Sequence, residues 1–305
     1  MEMEEDTRLT QEIKSVIISE GADLVGVAPV KRFEKAPKET QPTHYMPNAT
    51  NVVSIALHIP NGVCDVWGEY TEPGKTAGPY LFYGYGFQNL ELARIANLVA
   101  KKLEYKGYKS IIFPPTWAVS WYRFLEKLPT EGILFGDFSH RHAAVAAGLG
   151  EIGWHGLCIT PEFGTRVRFN SVITDAPLAH NPMYEGPSLC RPELCKLKCV
   201  RICPTKAIST PPKSLKCTVG GRAFEYSKTD HVRCMYGILA LVKGSGGRGH
   251  VDIPPGPGRL EHLLEAREQR NPLDRHFMEF SYGFITGDFC GKCLHQCPAP
   301  KFKEA

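Results

Sequence analysis

The chain has 305 residues, of which 43% are hydrophobic and 22% charged, and its formal net charge is +4. These values are ordinary for a globular protein, and so small a charge does not indicate a nucleic-acid-binding surface. The start MEMEED is acidic, and no apolar run approaches the roughly 18 residues of a membrane span, so neither a secretory signal nor a transmembrane helix is predicted. We therefore expect a cytoplasmic protein, in which eleven cysteines indicate metal binding or catalysis rather than disulfides.

Helical and strand signals alternate along the first 180 residues. Apolar spacing and β-branched runs predict, in chain order, a helix over 11–20, strands over 23–30 and 51–59, a helix over 89–103 ending at Gly107, a strand over 110–113, a helix over 141–147, and strands over 157–160 and 166–174. After residue 180 the one clear helix signal covers 260–270. This pattern predicts a mixed α/β layer architecture around a sheet.

Cysteine usage divides the chain into two regions. Residues 1–189 contain only Cys64 and Cys158, while the other nine cysteines lie between residues 190 and 297. The second region is also rich in proline and glycine. We therefore predict an α/β domain over 1–180 and a small domain over 181–305 that metal centres, rather than a core of its own, hold together. The second domain would carry a long insertion over 235–289.

Two cysteine runs in the second region carry the clearest chemical signal. The first run, CRPELCKLKCVRICP, contains Cys190, Cys195, Cys199 and Cys203, and the second, CGKCLHQCP, contains Cys290, Cys293 and Cys297. Both end in the x3-Cys-Pro step of bacterial ferredoxins, in which the last cysteine of each run ligates the other cluster. Zinc sites instead commonly pair two C-x2-C hooks or add histidines at short spacing. The runs therefore predict two [4Fe-4S] clusters.

Exchange of the last cysteines leaves one ligand undecided. The first three cysteines of the first run would hold one cluster together with Cys297, and Cys290 and Cys293 would hold the second together with Cys203. The second cluster then still lacks a thiolate. Cys217 and Cys234 are the remaining cysteines of this region, and spacing does not choose between them.

A glycine-containing stretch, AAGLGEIGWHGLCITPEFGTRVRFNSVITDAPL, covers residues 146–178. Its glycines permit tight turns and close approach of the backbone to a large ligand, although a helix, a turn and a hairpin would need them too. The stretch resembles the cobalamin-binding segment of corrinoid reductive dehalogenases and epoxyqueuosine reductases. Those families share the AGLG turn, the ITPEFG-like strand end and the TDxPL strand. They also follow it with two ferredoxin-like cysteine runs separated by a lone cysteine, the position of Cys234.

This resemblance covers about residues 10–300, with its specific motifs in 140–300. It implies a nitroreductase-like fold for the first domain, followed by a bacterial ferredoxin-like domain with two [4Fe-4S] clusters. It also implies base-off cobalamin beside one cluster, an external low-potential electron donor such as ferredoxin or flavodoxin, and Cys234 as the eighth cluster ligand. The residues it places at the corrinoid are Gly148, Gly150, Gly153, Trp154, His155, Gly156, Leu157 and Thr160.

A two-electron reductive cleavage requires a proton donor, because the leaving group or carbanion must be protonated. The acid of epoxyqueuosine reductases precedes the AGLG turn, where this chain has GDFSHRHAA, and the tyrosine of dehalogenases has no clear counterpart in YLFYGYG. The candidates are Tyr83, Tyr85, Asp137, His140 and His142. Each could equally be an ordinary surface or capping residue.

The insertion over 235–289 bears on the substrate. Its GSGGRG fits G-x-G-x-x-G, but the prolines of the following HVDIPPGPG exclude the helix that a dinucleotide site requires. Its end is aromatic, with Phe277, Phe280, Tyr282 and Phe284, and could line a small apolar pocket.

The leading hypothesis is therefore a cobalamin-dependent reductase of a small organic substrate. The alternatives are a tRNA epoxyqueuosine reductase and an electron-transfer protein that reductively activates a separate corrinoid protein. With only residues 298–305 after the second cysteine run, we expect no helical tRNA-binding extension, and nucleic acid is the less favoured partner.

Overall fold

The computed structural model describes residues 2–69, 79–116, 136–245, 251–269 and 290–300. Its first half consists of α1 (Glu2–Ser19), β1 (Leu24–Pro29), α2 (Pro42–Tyr45), β2 (Asn51–His58), α3 (Asn61–Glu69), α4 (Phe87–Tyr105), β3 (Ser110–Ile112), α5 (His140–Ala146), β4 (Glu151–Ile152), β5 (Cys158–Ile159) and β6 (Val167–Thr174). Short 3-10 turns cover Val30–Phe33 and Lys38–Thr40, and a π-helical turn over Tyr80–Gly86 leads into α4.

The second half contains short helices and one hairpin. Its elements are α6 (Pro192–Cys195), α7 (Lys198–Arg201), β7 (Ser214–Val219), β8 (Arg222–Ser227), α8 (His231–Ile238), α9 (Leu260–Glu268) and α10 (Lys292–His295).

The central sheet has the strand order β1-β2-β6-β3 and is antiparallel throughout. Strand β2 lies in the interior of the sheet, where Val53 faces Val27 on one neighbour and Val172 on the other. Because successive side chains of a strand point to opposite faces, β2 supplies apolar groups to two separate cores. Val52 and Ala56 belong to one core, and Val53, Ile55 and Leu57 belong to the other.

Helices α1 and α4 cover the first face of the sheet. Ile13 and Ile17 of α1 are fully buried there, as are Leu92, Ile95, Val99 and Leu103 of α4. Their spacing of three and four residues places them on one side of each helix. Helix α4 ends before Gly107, whose φ of +92° suits glycine, and the amide of Tyr108 donates to the carbonyl oxygen of Leu103.

Helix α5 covers the second face. Its residues from Ala143 to Ala146, together with Ala147 at its end, are fully buried. These small side chains allow the helix to lie close to β1, where a Cβ added to Gly26 would stand 2.3 Å from the carbonyl oxygen of Ala147. This packing fixes the point at which the chain leaves α5.

The hairpin of β7 and β8 packs on the same second face. Val219 and Phe224 are buried in the core that α5 forms with the sheet. The sequence analysis missed this hairpin, although it contains a turn signal: Gly220 and Gly221, at φ of +56° and +82°, separate two strand-like runs. Part of the second region thus completes the core of the first.

The second region also has a core of its own, contrary to the expectation. Helices α8 and α9 bury a separate apolar cluster that includes Val232, Tyr236, Leu241 and Leu263. The two regions are joined by side chains as well, since Thr165 donates from Oγ1 to the carbonyl oxygen of Leu294 at 2.6 Å. A domain boundary at residue 180 stays a prediction.

The mixed α/β architecture is confirmed, and most elements before residue 180 lie within a few residues of their predicted bounds. Helix α1 begins well before the predicted helix over 11–20, while α3 and α8 were not predicted. In the described part of the chain, no helix is long and apolar enough to cross a membrane.

We predict that Gly26→Ala lowers the free energy of unfolding by about 1–3 kcal/mol, because the added methyl overpacks the contact with Ala147. Gly62→Ala is the matched control: it lies in α3, and a Cβ there meets nothing within 4 Å. Chemical denaturation under anaerobic conditions measures both variants. Equal stabilities of the two variants would show that the approach of α5 to β1 is not tight.

Candidate functional site

Four cysteines from both runs come together in one group. Burial raises the pKa of Cys190 to about 11, and the charges of Cys297 and Cys195 contribute to the increase. Burial likewise raises the pKa of Cys199 to about 12, with contributions from Cys297, Cys190 and Cys195. We call Cys190, Cys195, Cys199 and Cys297 the first thiol group. It contains the last cysteine of the second run, as the exchange pattern predicted.

A second thiol group consists of Cys203, Cys234, Cys290 and Cys293. Burial is the main cause that raises the pKa of Cys293, the charges of Cys290, Cys234 and Cys203 raise it further, and Cys199 of the first group has the smallest effect. Helix α8, which carries Cys234, lies against Cys290: a Cβ added to Gly237 would stand 3.4 Å from the Cys290 Sγ. All eight predicted cluster cysteines therefore belong to one of two groups of four.

Cys217 lies elsewhere. It is on β7, opposite Phe224, and packs against the core between α5 and the sheet. The charged group that affects its pKa is Arg141, whose charge opposes the larger, raising effect of burial. Of the two alternatives that spacing left open, the structure brings Cys234 to the second group. Ligation itself stays a prediction.

The surroundings of the thiol groups favour metal-bound thiolates over free thiolates. A thiolate at Cys190 or Cys199 is unfavourable at neutral pH in the absence of a positive partner, because burial removes its hydration. Backbone amides also point at the sulfurs: the Trp154 N–H donates to the Cys190 Sγ at 3.1 Å, and the Ala207 N–H donates to the Cys203 Sγ at 3.3 Å. Such N–H···S contacts are a familiar part of metal–thiolate surroundings.

The arrangement differs from that of a single-ion site. Within the described residues, no three side chains of His, Cys, Asp or Glu are placed to hold one metal ion. Thiolates that bind one zinc ion all lie about 2.3 Å from it and so converge closely. All four cysteines of the first thiol group line one cavity.

Trp154 lies between the two thiol groups. Its side chain is 9% exposed and packs with Cys199 and Ile208, and Cys190, Cys203 and Cys293 adjoin the same apolar cluster. Its indole Nε1 donates to the carbonyl oxygen of Ser209 at 2.9 Å, which fixes the ring. Trp154 follows Gly153 directly, so the glycine-containing segment reaches both groups.

The glycine-rich turn, residues 148–156, is packed mainly by protein. A Cβ added to Gly148 would stand 2.0 Å from the Pro182 carbonyl oxygen, and one added to Gly150 would stand 1.9 Å from that of Ile159. At Gly153 the nearest atoms belong to Ile159 and His155. Close approach of other backbone therefore explains glycine at positions 148 and 150. Their contact with a corrinoid stays a prediction.

The remaining residues predicted at the corrinoid have defined partners. Leu157 packs against the small cluster of Ile59, Cys64 and Leu294, and Thr160 is fully buried and accepts from the Phe163 N–H at 3.0 Å. The Leu157 N–H donates to the Nδ1 of His155 at 3.0 Å, and burial lowers the pKa of His155 to about 4.

A polar cluster of Arg141, His142 and Tyr226, each half-buried, adjoins the turn at Gly156. Arg141 donates from Nη1 to the Gly156 carbonyl oxygen at 2.9 Å and forms no ion pair with an acidic side chain among the described residues. A Cβ added to Gly156 would lie 3.5 Å from the Tyr226 ring, whose centroid is 6.3 Å from that of His142. Burial lowers the pKa of His142 to about 3, helped by the charge of Arg141.

Arg141 and Tyr226 were missed by the sequence analysis. An arginine inside HRHAAVA, a helix otherwise made of small or buried residues, was a usable signal, because a cation is seldom placed on a buried face without a partner. Tyr226 could not be found in this way, since the hairpin that carries it was not predicted.

The other proton-donor candidates are dispersed. Tyr83 is 59% exposed and stacks on Phe87. Tyr85 is buried, its hydroxyl lies 2.6 Å from the Thr116 Oγ1, and the Arg168 guanidinium lies over its ring. The backbone oxygen of Asp137 accepts from the Tyr45 hydroxyl.

His140 is held on both sides of its ring. Its Nε2 lies 3.0 Å from the Pro114 carbonyl oxygen, which only accepts, so Nε2 carries the proton, and its Nδ1 is 3.1 Å from the Ser171 Oγ. Of the five candidates, the structure therefore brings His142 to the polar cluster beside the turn. The role of each as a proton donor stays a prediction.

Comparison with known proteins gives relatives of two kinds, although no family model matches the chain. The tetrachloroethene reductive dehalogenase of Sulfurospirillum multivorans is 47% identical over 75 residues, which make up 24% of this chain and 14% of the dehalogenase. Epoxyqueuosine reductases of Bacillus cereus and Bacillus anthracis are 27% and 30% identical over 278 residues. This match covers 84% of the chain, which spans 64% of the length of each epoxyqueuosine reductase.

Solved structures of both kinds share the fold. A catabolic reductive dehalogenase in complex with 3-bromo-4-hydroxybenzoic acid superposes with a TM-score of 0.56 at 18% identity, over 95% of this chain and 38% of that protein. An epoxyqueuosine reductase with an epoxyqueuosine-modified tRNA stem loop gives 0.53 at 17% identity, over 95% and 79%.

We predict that His140→Gln weakens the pH dependence of stability. Burial lowers the folded-state pKa of His140 from 6.5 to about 4, so the unfolded state binds more protons between these values. The stability that the neutral ring contributes is therefore lost as the pH falls through this window. Between pH 7.5 and 5.5 the wild type should lose about 1 kcal/mol more than the variant, measured by denaturant unfolding. Parallel pH profiles would show that His140 titrates normally in the folded protein.

Proposed function

The chain belongs to the superfamily of epoxyqueuosine reductases and reductive dehalogenases, and from this premise we propose that it is a corrinoid-dependent iron–sulfur reductase. Its first domain would be nitroreductase-like and its second ferredoxin-like. When bound, two [4Fe-4S] clusters would supply one-electron transfer and cobalamin would supply the cobalt at which the substrate is reduced. An external low-potential protein, ferredoxin or flavodoxin, would provide the electrons.

The observation that carries this proposal is the sorting of eight cysteines into two groups of four. Cys190, Cys195, Cys199 and Cys297 would hold one cluster, and Cys203, Cys234, Cys290 and Cys293 would hold the other. The donor chemistry fits, since thiolates are soft, anionic ligands and burial raises the pKa of one cysteine in each group, Cys199 and Cys293. The exchange of Cys203 and Cys297 between the groups is the pattern of two adjacent clusters.

The proposed corrinoid site is the turn at Gly156 with the polar cluster of Arg141, His142 and Tyr226. Arg141 is half-buried, retains N–H groups beyond the one bonded to Gly156, and has no acidic partner in the described chain. Such donors fit a ligand rich in amide carbonyls, as the rim of a corrin is.

Protons for the proposed reaction would come from this same cluster. Reductive cleavage adds two electrons and one proton to the substrate and releases its leaving group with the bonding pair. Burial raises the pKa of Tyr226, against the opposing charge of Arg141, so its hydroxyl holds a proton at neutral pH. The neutral ring of His142 lies beside it, with Nδ1 2.6 Å from the Ser139 Oγ. We therefore place the proton donor at Tyr226 or His142.

We propose a small organic molecule as the substrate. The described part of the 235–289 insertion is fastened beside Cys234: Arg233 donates to the Pro254 and Gly256 carbonyl oxygens, and the Gly258 N–H donates to the Asp230 carboxylate. These hydrogen bonds support the proposal that the described part of the insertion lies close to the second thiol group. The aromatic residues from Phe277 to Phe284 that prompted the substrate prediction lie outside the described residues, as does most of GSGGRG.

A tRNA epoxyqueuosine reductase is the second candidate. The 30% identity to the Bacillus anthracis epoxyqueuosine reductase over 84% of this chain favours it. The shorter but higher identity of 47% to a dehalogenase favours the small substrate. A third activity, reductive activation of a separate corrinoid protein, would need no substrate site and would leave the polar cluster without a role.

We predict that Cys234→Ser removes one of the two clusters, whereas Cys217→Ser keeps both. The first change deletes a proposed ligand, and the matched control alters a cysteine that packs against the core near Arg141. Iron and sulfide analysis with low-temperature EPR of the reduced proteins distinguishes them. The assignment is wrong if the Cys217 variant loses a cluster and the Cys234 variant does not.

We predict that the anaerobic protein, loaded with cobalamin and reduced, turns over small halogenated aromatics or alkenes and leaves epoxyqueuosine in a tRNA stem loop unchanged. Mass spectrometry of both products measures this directly. Binding of the stem loop should be weak, because the net charge is only +4. Efficient conversion of the stem loop would establish the tRNA activity instead, and reduction of an added corrinoid protein without turnover of either substrate would favour the third.

A further inference from the structure

One buried nitrogen beside the first thiol group has no partner. His155 is 7% exposed, and its Nε2 forms no hydrogen bond among the described residues. Its Nδ1 accepts from the Leu157 N–H, which can only donate. In the neutral ring the proton is therefore on Nε2, which makes this nitrogen a buried donor without an acceptor.

An unsatisfied buried donor is unfavourable, so its retention requires an explanation. His155 lines the same cavity as all four cysteines of the first thiol group. The preceding residue already serves this group, since the Trp154 N–H donates to the Cys190 Sγ. Two neighbouring residues thus supply hydrogen-bond donors here. The Trp154 N–H donates to a cysteine sulfur, and the His155 Nε2–H has no acceptor among the described residues.

We propose that the Nε2–H of His155 donates a hydrogen bond to a sulfur of the cluster held by the first thiol group and raises that cluster's reduction potential. The inference rests on the proposed function, because it requires the cluster. Reduction adds one electron to the cluster, and a hydrogen bond to sulfur stabilises the more negative, reduced form. His155 would be a positioning and tuning residue for the cluster.

The consequence is a first cluster that accepts electrons more readily than it would without His155. The second thiol group receives the Ala207 N–H and lies within 3.4 Å of the Thr205 hydroxyl, both at Cys203, whereas His155 lines the cavity of the first group. A higher potential at the first cluster draws electrons towards the glycine-rich turn. Electrons that enter at the second cluster would therefore move to the side of the molecule on which the proposed substrate site lies.

Two amide variants that differ by one methylene test the proposal. In His155→Asn the amide occupies the position of Nδ1, so an acceptor for the Leu157 N–H is kept while the donor at the position of Nε2 is lost. In His155→Gln an amide N–H reaches the position of Nε2. We expect the Asn variant to lower the reduction potential of the first cluster. At a fixed potential, the ratio of its reduced to its oxidised form should fall about tenfold, which corresponds to about 59 mV for one electron. The Gln variant should stay close to the wild type.

EPR-monitored titration of the anaerobic protein with dithionite measures both potentials, and the second cluster is the internal control because it should not change. A second readout is direct: protein labelled with ¹⁵N-histidine should show hyperfine coupling of a histidine nitrogen to the reduced first cluster, and His155→Asn should abolish it. The proposed hydrogen bond is wrong if the first cluster has the same reduction potential in the wild type and the Asn variant. It is also wrong if that potential falls equally in the Asn and Gln variants. Wild-type protein without any iron–sulfur signal would instead overturn the proposed function, and this inference with it.

Discussion

Eight cysteines lie in two groups of four, with Cys199 buried and the others half-buried, and the lost hydration of thiolate charge is the constraint on which the rest of the structure depends. Water no longer stabilises the anion at Cys199, whose pKa rises to about 12, so the thiolates need positive charge within the protein. The charge of Lys198 lowers the pKa of Cys297, and Lys292 interacts with Cys290, but burial is the larger effect at Cys297 and raises its pKa. Soft metal centres can neutralise such a set, and their binding then becomes part of the stability of the fold.

The exchange of cysteines between the runs also holds distant parts of the chain together. Cys297 follows α10 closely, so its place in the first group depends on the packing of α10 near the central sheet. The hydrogen bond from Thr165 to the Leu294 carbonyl oxygen is part of this packing. The hairpin of β7 and β8, which follows the first run, is buried against α5. Helix α5 in turn fixes the glycine-rich turn, whose Trp154 lies between the two groups. The sheet, the turn and the thiol groups therefore form one connected unit.

Much of this could be predicted from the sequence. Local signals located the strands of the sheet, because β2 and β6 are rich in β-branched and apolar residues. The x3-Cys-Pro steps predict that Cys203 and Cys297 exchange between the groups, since this spacing follows from the geometry of paired clusters, and their ligation stays a prediction. The resemblance of residues 146–178 to a cobalamin-binding segment indicated the superfamily that the comparisons support.

Other features depend on contacts between distant residues and could not be predicted. Spacing allowed both Cys217 and Cys234, and the choice follows from β7 packing in the core while α8 lies against Cys290. The glycines were interpreted as ligand contacts, but Gly148 and Gly150 face the backbone at Pro182 and Ile159. The cluster of Arg141 and Tyr226 joins a helix to a hairpin more than eighty residues later in the sequence, and no local pattern records such a contact.

The central claim is that the two thiol groups hold two cubane clusters. The most direct measurement is Mössbauer spectroscopy of ⁵⁷Fe-labelled protein, purified anaerobically, together with quantification of iron, sulfide and zinc. We predict about eight iron and eight sulfide per chain, all in [4Fe-4S] form. Stoichiometric zinc in place of iron, or a fully loaded protein with no more than about four iron atoms per chain, would contradict the account.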